Sequence, residues 1–547
     1  MSERQTLALH YLTVHSLTDT SMSWTRIHDG TFQRPLGDSE YALFLGSRQA
    51  LGDMFLHMAL RASADCFRPR RVQIAWSLIR QKNPLLMSKV VVDRDDPETP
   101  QFSFSPPTTP EAALQEAQAA LRFNHETKDE LISAYMDGPR VLSDDYLSYL
   151  IVSEREDNTV SDTNVSQYDL LMCAPHFIGD GTALHQSTHE LLCLLSSAKS
   201  DAELSDELNA PRDWLDVLPL SMESRLSIPS SALGRAACKI NYLQTLSREI
   251  GGHTFSRIQR GPKRTILQER EFSEAQTATI LANCKANGVT VNHALTALCN
   301  IAWARCTTQP VELPIMLYTA ANLRAHLAPQ PSSVTSHWFL ALAYFTISLP
   351  AWAPATKAGM WLRARAAKTQ MQKAVRSPLL PTRALLSAAG RARRPSPSSA
   401  KSDNDEPKLG SATAFAPPPE NPTLPRRPAA SAALLGISLI GDLDRTYLRS
   451  AYSPQIAPTS SPSSPSSTQI TPTHDNDIPR ETTPRIHLLS VATASRLKPG
   501  GLLLLGHTFG GRLVLQLCWD CMGFAEGEGG VEAFWEGLGG AVGEFLC

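Results

Sequence analysis

The sequence predicts a mixed α/β protein of two lobes, and three observations lead there. Its 547 residues are about three times a typical single-domain length. Strand-like and helix-like patterns alternate up to about residue 215 and begin again near Pro219. Two Pro/Ser-rich stretches fall inside the second half, flanked by apolar segments, and do not separate the halves. The expected division is therefore 1–215 and 216–547.

In the first half, Glu40–Met58 is moderately apolar and reads as helical. Val72–Ile79 reads as a helix that stops at Asn83-Pro84, because the residue before proline is pushed out of the α region. Lys89–Val92 resembles a short strand, and Pro110–Phe123 an Ala-rich helix with proline suited to its first turn. Leu170–Ala174 is an apolar run of strand length, and a helix then continues through Leu195.

In the second half, Ser273-Glu-Ala-Gln276 has the capping-box pattern and starts a helix to Lys285, which Asn287-Gly288 breaks. The next helix buries Ala294, Leu295, Leu298, Ile301 and Ala302, the spacing of one apolar face. Leu313–Tyr318, Leu434–Leu443 and Arg512–Trp519 read as strands. Arg391–Arg427 and Ser453–Arg485 lack the apolar content to offset the entropy of ordering them, and are expected to be disordered surface insertions.

Composition excludes some functions. A formal net charge of -2 supplies no basic field for nucleic acid. Met1–Thr20 lacks a basic segment followed by an apolar core, so no signal peptide is read. The most apolar stretch, Trp338–Trp352, contains Pro350 and falls short of the ~20 residues of a spanning helix. The 10 cysteines lack the spacing of a disulfide scaffold and are expected to be buried thiols. A cytoplasmic protein, without a membrane span and monomeric, is the expectation.

The informative stretch is Tyr168-Asp-Leu-Leu-Met-Cys-Ala-Pro-His176-Phe-Ile-Gly-Asp180-Gly181. A histidine where a buried strand turns into a helix can be held rigidly while its ring faces a cleft. Imidazole has the unperturbed pKa suited to proton abstraction near neutrality. Asp180 falls at the start of the helix, where the macrodipole favours a carboxylate. It could organise the turn as easily as touch substrate. By spacing alone, a core histidine near an aspartate is the commoner explanation.

The stretch resembles the His-His-x-x-x-Asp-Gly motif of the chloramphenicol-acetyltransferase-like superfamily. That superfamily includes peptide-synthetase condensation domains, plant-type acyltransferases and fungal acetyltransferases acting on trichothecenes. Gln81-Lys-Asn-Pro-Leu-Leu, Asn287-Gly-Val-Thr-Val-Asn-His-Ala-Leu-Thr-Ala-Leu298, Tyr318-Thr-Ala-Ala-Asn-Leu-Arg324 and Gly506-His-Thr-Phe-Gly-Gly-Arg-Leu resemble further family segments, in order. The resemblance implies two lobes with a tunnel between them and His176 as the general base. It makes Asp180 and Gly181 structural, with Arg324 the candidate ion-pair partner of Asp180. Pro175 stands where the family has its first histidine, a departure that touches local geometry more than chemistry. The resemblance further implies acyl-CoA, above all acetyl-CoA, as co-substrate without a permanently bound cofactor. The expected acceptor is a small-molecule alcohol such as a terpenoid or polyketide. An amide-forming or carrier-dependent enzyme, or a silent ligand-binding protein, is the alternative.

Other patterns carry less. His185 and His189 lie one turn apart, but Thr188-His-Glu-Leu-Leu-Cys193 lacks the second histidine of a zinc helix, so a satisfied helix-face pair is expected and no metal. Cys518-Trp-Asp-Cys521 ends a strand where a redox motif would open a helix. The Gly506–Gly511 stretch lacks the Lys-Ser/Thr of a phosphate loop. Arg391-Ala-Arg-Arg reads as a solvated charge run.

Overall fold

In the computed structural model of the chain the residues described are 23–27, 29–94, 99–155, 165–229, 231–247, 252–308, 312–329, 336–352, 356–392, 433–447, 452, 485–527 and 529–547. Most of Arg391–Arg427 and of Ser453–Arg485 falls outside them, so the expectation for those insertions lies outside the described residues.

Two large sheets dominate. The first has the strand order Ile486–Ser495, Asp53–Ser63, Val165–Pro175, Tyr149–Arg155, Leu121–Asn124. The second runs Leu342–Leu349, Ile315–Asn322, Leu435–Asp442, Leu502–Phe509, Arg512–Asp520, Thr265–Phe272. A small sheet of Thr25–Arg26, Phe32–Pro35, Gln101–Phe104 and Lys89–Val91 flanks the first. Among the described strands one crosses the division at 215: Ile486–Ser495 comes from the second half yet pairs antiparallel with Asp53–Ser63, from Ile486 opposite Ala62 to Ser495 opposite Met54.

The first sheet is buried on both faces, which is why its strands are almost continuously apolar. Leu56, Met58, Leu60, Leu170, Met172 and Ala174 pack with Trp76, Ile79, Leu184 and Leu191 of the helices Pro69–Lys82 and Gly181–Ser196. On the opposite face Phe55, Leu171 and Cys173 form one cluster with Leu505 and Cys518 of the second sheet. The second sheet is covered in turn by the helices Val291–Cys306, Lys357–Val375 and Val531–Leu546.

The expected helix over Glu40–Met58 is not one element. A helix occupies Asp38–Ser47 and the strand starts at Asp53. Between them Ala50 (φ 58°) and Gly52 (φ 78°) turn the chain through the left-handed region. The run after Gly52 is apolar on both faces, so no period separates strand from helix. Likewise the helix expected over Pro110–Phe123 ends at Ala119, and Leu121–Asn124 is a strand. The helix Glu274–Ala286 starts where its capping box placed it, with Ser273 Oγ accepting from Gln276 N at 3.2 Å, and it is broken at Gly288, φ 67°. The apolar Trp338–Trp352 stretch supplies the strand Leu342–Leu349. Among the described residues no helix is long and apolar enough to cross a membrane.

Candidate active site

The strand Val165–Pro175 ends against Asp53, with Pro175 its Cα partner. The next residue, His176, is tethered through its own N–H to the Gly52 carbonyl at 3.1 Å. After one 3-10 turn, His176–Ile178, the chain passes through Gly179 and Asp180 into the helix Gly181–Ser196. The backbone of His176 is thus fixed between a buried strand and a buried helix, while its side chain remains half-buried.

His176 Nδ1 lies 2.8 Å from the carbonyl oxygen of Gly179. A carbonyl only accepts, so Nδ1 carries a proton, and in the neutral ring Nε2 is then the nitrogen with the lone pair. Among the described residues none hydrogen-bonds Nε2. The ring is held in the tautomer a base requires.

Asp180 is the N-cap of the helix and is 2 % exposed. Its Oδ1 accepts from Thr182 N at 3.0 Å and Ala183 N at 3.3 Å. Its Oδ2 meets Arg324 Nη1 at 2.6 Å. With both oxygens engaged, the carboxylate faces protein groups. Arg324 follows the strand Ile315–Asn322, and its second nitrogen donates to the carbonyls of His337 and Phe339, each at 3.2 Å. Its guanidinium also stacks 4.7 Å from the centre of the Phe339 ring. Asn322 Nδ2 reaches Thr182 Oγ1 at 3.5 Å, and Ile440 approaches Gly181. The turn that carries His176 therefore abuts the carboxyl ends of two parallel strands of the second sheet, Ile315–Asn322 and Leu435–Asp442.

Two glycines flank Asp180 in the turn, where backbone freedom is the usual reason for the residue. Gly179 is instead fully extended, φ −178°, a conformation any residue adopts. It is glycine for lack of space: a Cβ there would sit 2.6 Å from the Trp338 ring. Gly181 is the first residue of the helix, and the nearest atom to a Cβ there is Ile440 Cδ1, at 3.7 Å. Sequence reasoning read Trp338 only as part of an apolar run. It is fully buried, and its Nε1 donates to Ser187 Oγ at 2.7 Å. Asn83, read as a helix stop, accepts at Oδ1 from Ser336 Oγ and His337 N, both at 3.0 Å. No sequence signal links these partners, which lie far apart along the chain.

His185 and His189 each take a tyrosine: Nδ1 of His185 lies 2.8 Å from Tyr447 Oη, and Nδ1 of His189 lies 2.8 Å from Tyr452 Oη. Burial, helped by the nearby His507, pushes His185 down to about 3, and burial pushes His507 down to about 4. Both rings are therefore neutral at ordinary pH. Among the described residues no group of three or more His, Cys, Asp or Glu is placed to hold a metal. Six of the cysteines are buried, Cys193, Cys306 and Cys521 are partly exposed and Cys547 is exposed. A cavity of about 560 Å³ lined by Gln81, Lys82, Glu190, Cys193 and Arg212 lies along the same helix, and His176 does not line it. Burial alone would raise the carboxyl of Glu190 there. Hydrogen bonds from His337 and Lys82 outweigh it and hold the group at about 2.

A buried network that the sequence did not reveal lies in the first sheet. His57 Nε2 donates to Asp169 Oδ1 at 2.7 Å, and Arg155 Nε to Oδ2 at 2.5 Å. It joins three adjacent strands and does not reach His176.

Residues 261–401 match the C-terminal part of the phthiocerol/phthiodiolone dimycocerosyl transferase family. Among curated proteins no sequence match is found. Solved structures match over nearly the whole chain. The trichothecene 15-O-acetyltransferase TRI3 from Fusarium sporotrichioides has a TM-score of 0.71 at 14% identity, covering 98% of this chain and 100% of that one. The condensation domain of the monacolin K polyketide synthase gives 0.54 at 10% identity, covering 96% and 98%. Polyketide synthase associated protein 5 from Mycobacterium tuberculosis gives 0.51 at 14%, covering 93% and 96%. At such identities the likenesses establish the fold, and the matched transferase segment adds support for acyl transfer.

Proposed function

We propose that this chain, an acyltransferase with the two-lobed fold of the chloramphenicol-acetyltransferase-like, condensation-like superfamily, moves an acyl group from CoA to the hydroxyl of a small specialised metabolite with His176 as base. One observation carries the reading. The Nδ1–H···O=C bond to Gly179 makes Nε2 the lone-pair nitrogen of the neutral ring, without a partner among the described residues, on a turn that abuts the second sheet.

The chemistry follows from that atom. Nε2 takes the acceptor's proton as its oxygen attacks the thioester carbonyl. The new C–O bond forms, the C–S bond breaks as the tetrahedral intermediate collapses, and the departing thiolate recovers the proton from Nε2. Positioned general bases contribute roughly 10²–10⁴-fold. Asp180 and Arg324 hold the turn: the carboxylate is engaged by the helix terminus and by Arg324, whose two Nη atoms reach Asp180 and the carbonyls of His337 and Phe339. The likeness to a trichothecene acetyltransferase supports acetyl as the group and an alcohol as the acceptor. The reading takes the protein as a soluble, cytoplasmic monomer.

The likeness to a condensation domain supports a second reading, in which the donor acyl group rides on a carrier protein. One experiment addresses both. Purified protein is given acetyl-CoA and a mixture of terpenoid and polyketide alcohols, and CoA release and acylated product are measured. His176→Ala should lower turnover by at least about 10²-fold, with little change in KM for acetyl-CoA because the ring acts mainly in the transition state. Retained turnover in His176→Ala removes the mechanism. Turnover with carrier-bound acyl groups but none with acyl-CoA decides for the second reading.

A further inference from the structure

The tautomer of His176 depends on a carbonyl, and that carbonyl belongs to a glycine. Glycine has the widest choice of backbone conformations, so the Gly179 oxygen stays on Nδ1 only if something holds the peptide. Nothing in the turn itself does this. Asp180 anchors the residues that follow it through Thr182 and Ala183, whereas the Gly179 peptide lies against the indole of Trp338, close enough that a Cβ would meet ring atoms at 2.6 and 3.0 Å.

Trp338 is itself unusually well fixed. Its indole N–H is bound to Ser187 in the helix that follows the turn. Its neighbours tie the same short strap to both lobes. Ser336 and His337 bind Asn83, His337 Nε2 lies 3.0 Å from Glu190, and Arg324 holds the carbonyls on either side of Trp338 while pairing with Asp180.

We propose that Trp338 is a positioning residue: its six-membered ring, packed against Gly179, fixes the Gly179 carbonyl and thereby the Nδ1–H tautomer and orientation of His176. The proposal rests on His176 being the base. Losing the plane of the ring lets the Gly179 peptide rotate. Nδ1–H then loses its acceptor, Nε2 becomes less basic, and the ring samples orientations that do not face the seam. A displacement of the order of 1 Å at a reacting group can cost roughly 10²-fold.

The test compares Trp338→Leu, Trp338→Phe and Ser187→Ala in the full chain, with kcat, KM, the pH profile of kcat/KM and the melting temperature measured for each. Leu298→Ala, in a buried helix of the second lobe away from the turn, serves as a destabilised control. Trp338→Leu should lose about 10- to 100-fold in kcat, keep KM for the donor, and shift the rising, acidic limb of the profile, which the base sets, to lower pH. Trp338→Phe keeps an aromatic ring to pack against Gly179 and should recover most of kcat, even where it melts as early as the control. Ser187→Ala should behave as Trp338→Phe does. Unchanged kcat and pH profile in Trp338→Leu, or an equal kcat loss in Trp338→Leu and Trp338→Phe, overturns the proposal. So does a profile shift of the same size in Leu298→Ala. Activity surviving in His176→Ala instead removes the base reading on which the proposal stands, and is a separate result.

Discussion

Removing the Asp180 carboxylate separates its structural cost from any catalytic one. Asp180→Ala deletes an N-cap, worth about 0.5–2 kcal/mol, and leaves Arg324 without its ion-pair partner. One-sided loss of a fully buried pair costs about 3–5 kcal/mol. Here the Asp180 side chain is 3% exposed and that of Arg324 22%, and Arg324 keeps the carbonyls of His337 and Phe339, so the low end of about 3 kcal/mol applies. Asp180→Asn retains a cap of equal quality and should lose about 2–3 kcal/mol, so the two variants differ by about the cap alone. For a cooperative unit of 150–250 residues about 1 kcal/mol is worth about 2–4 °C, and Asp180→Ala, which loses pair and cap together at about 3.5–5 kcal/mol, should melt about 7–20 °C below the parent. Arg324→Ala should behave alike, and the double variant should lose less than the sum, with a coupling of about 0.5–3 kcal/mol. The assay is thermal unfolding followed by fluorescence, run beside acyl transfer. Turnover abolished in Asp180→Asn at an unchanged melting temperature would refute the reasoning and give the carboxylate a direct part in the chemistry.

His185→Ala and His189→Ala should leave acyl transfer nearly unchanged. His185→Ala should also cost about 1–3 kcal/mol, because it strands the buried hydroxyl of Tyr447. A loss of turnover in either variant that added zinc modulates would restore a metal role. Acid should destabilise the fold earlier than its carboxylates require. His185 and His507 are held neutral in the folded chain, at about 3 and about 4, against 6.5 when unperturbed. Below pH 6.5 the unfolded chain binds protons that the folded chain refuses, so the stability present above 6.5 is lost as pH falls towards those values, at up to about 1.4 kcal/mol per pH unit per histidine. Denaturant melts at pH 7.5 and pH 5 should differ by about 2 kcal/mol for each histidine, and a difference that persists undiminished in His507→Asn would contradict the assignment.

Local patterns were legible in the sequence, and long-range partners were not. The apolar run Leu170–Ala174 and the capping box at Ser273 specify their elements within a few neighbouring residues, and both elements are present. Asp53–Ser63 failed for a local reason as well. Buried on both faces, it carries no alternation, and only Gly52 signals that the preceding helix has ended. The surroundings of His176 are a different problem. Arg324 lies 144 residues beyond Asp180 and was reached through the resemblance of Tyr318–Arg324 to a family segment, since no spacing rule extends that far. Trp338 and Tyr447 belong to no such segment, and their side chains are ordinary core-forming types. What marks Trp338 is the missing Cβ of Gly179, a steric complement that is visible only once the two lobes are assembled.

The lobes are assembled by the chain itself. After Leu435–Asp442 in the second sheet the backbone crosses to the first, pairs along Asp53–Ser63 as Ile486–Ser495, and returns as Leu502–Phe509. The outer edge of the crossing strand meets a side chain of the second sheet: Gln516 Oε1 accepts from Thr493 N at 3.3 Å, and its Nε2 donates to the Val491 carbonyl at 3.4 Å. Separating the two sheets would strand the Gln516 amide, orphan Thr493 N and the Val491 carbonyl, and pull Leu505 and Cys518 from the cluster around Phe55 and Leu171. Each of these losses exposes buried apolar surface or orphans a backbone group. On the proposed reading, substrates would have to reach Nε2 along the seam with the sheets held together. If His176 is the base proposed above, it needs that constraint, because Gly179, Trp338 and Arg324 keep their mutual distances only while the seam stays closed.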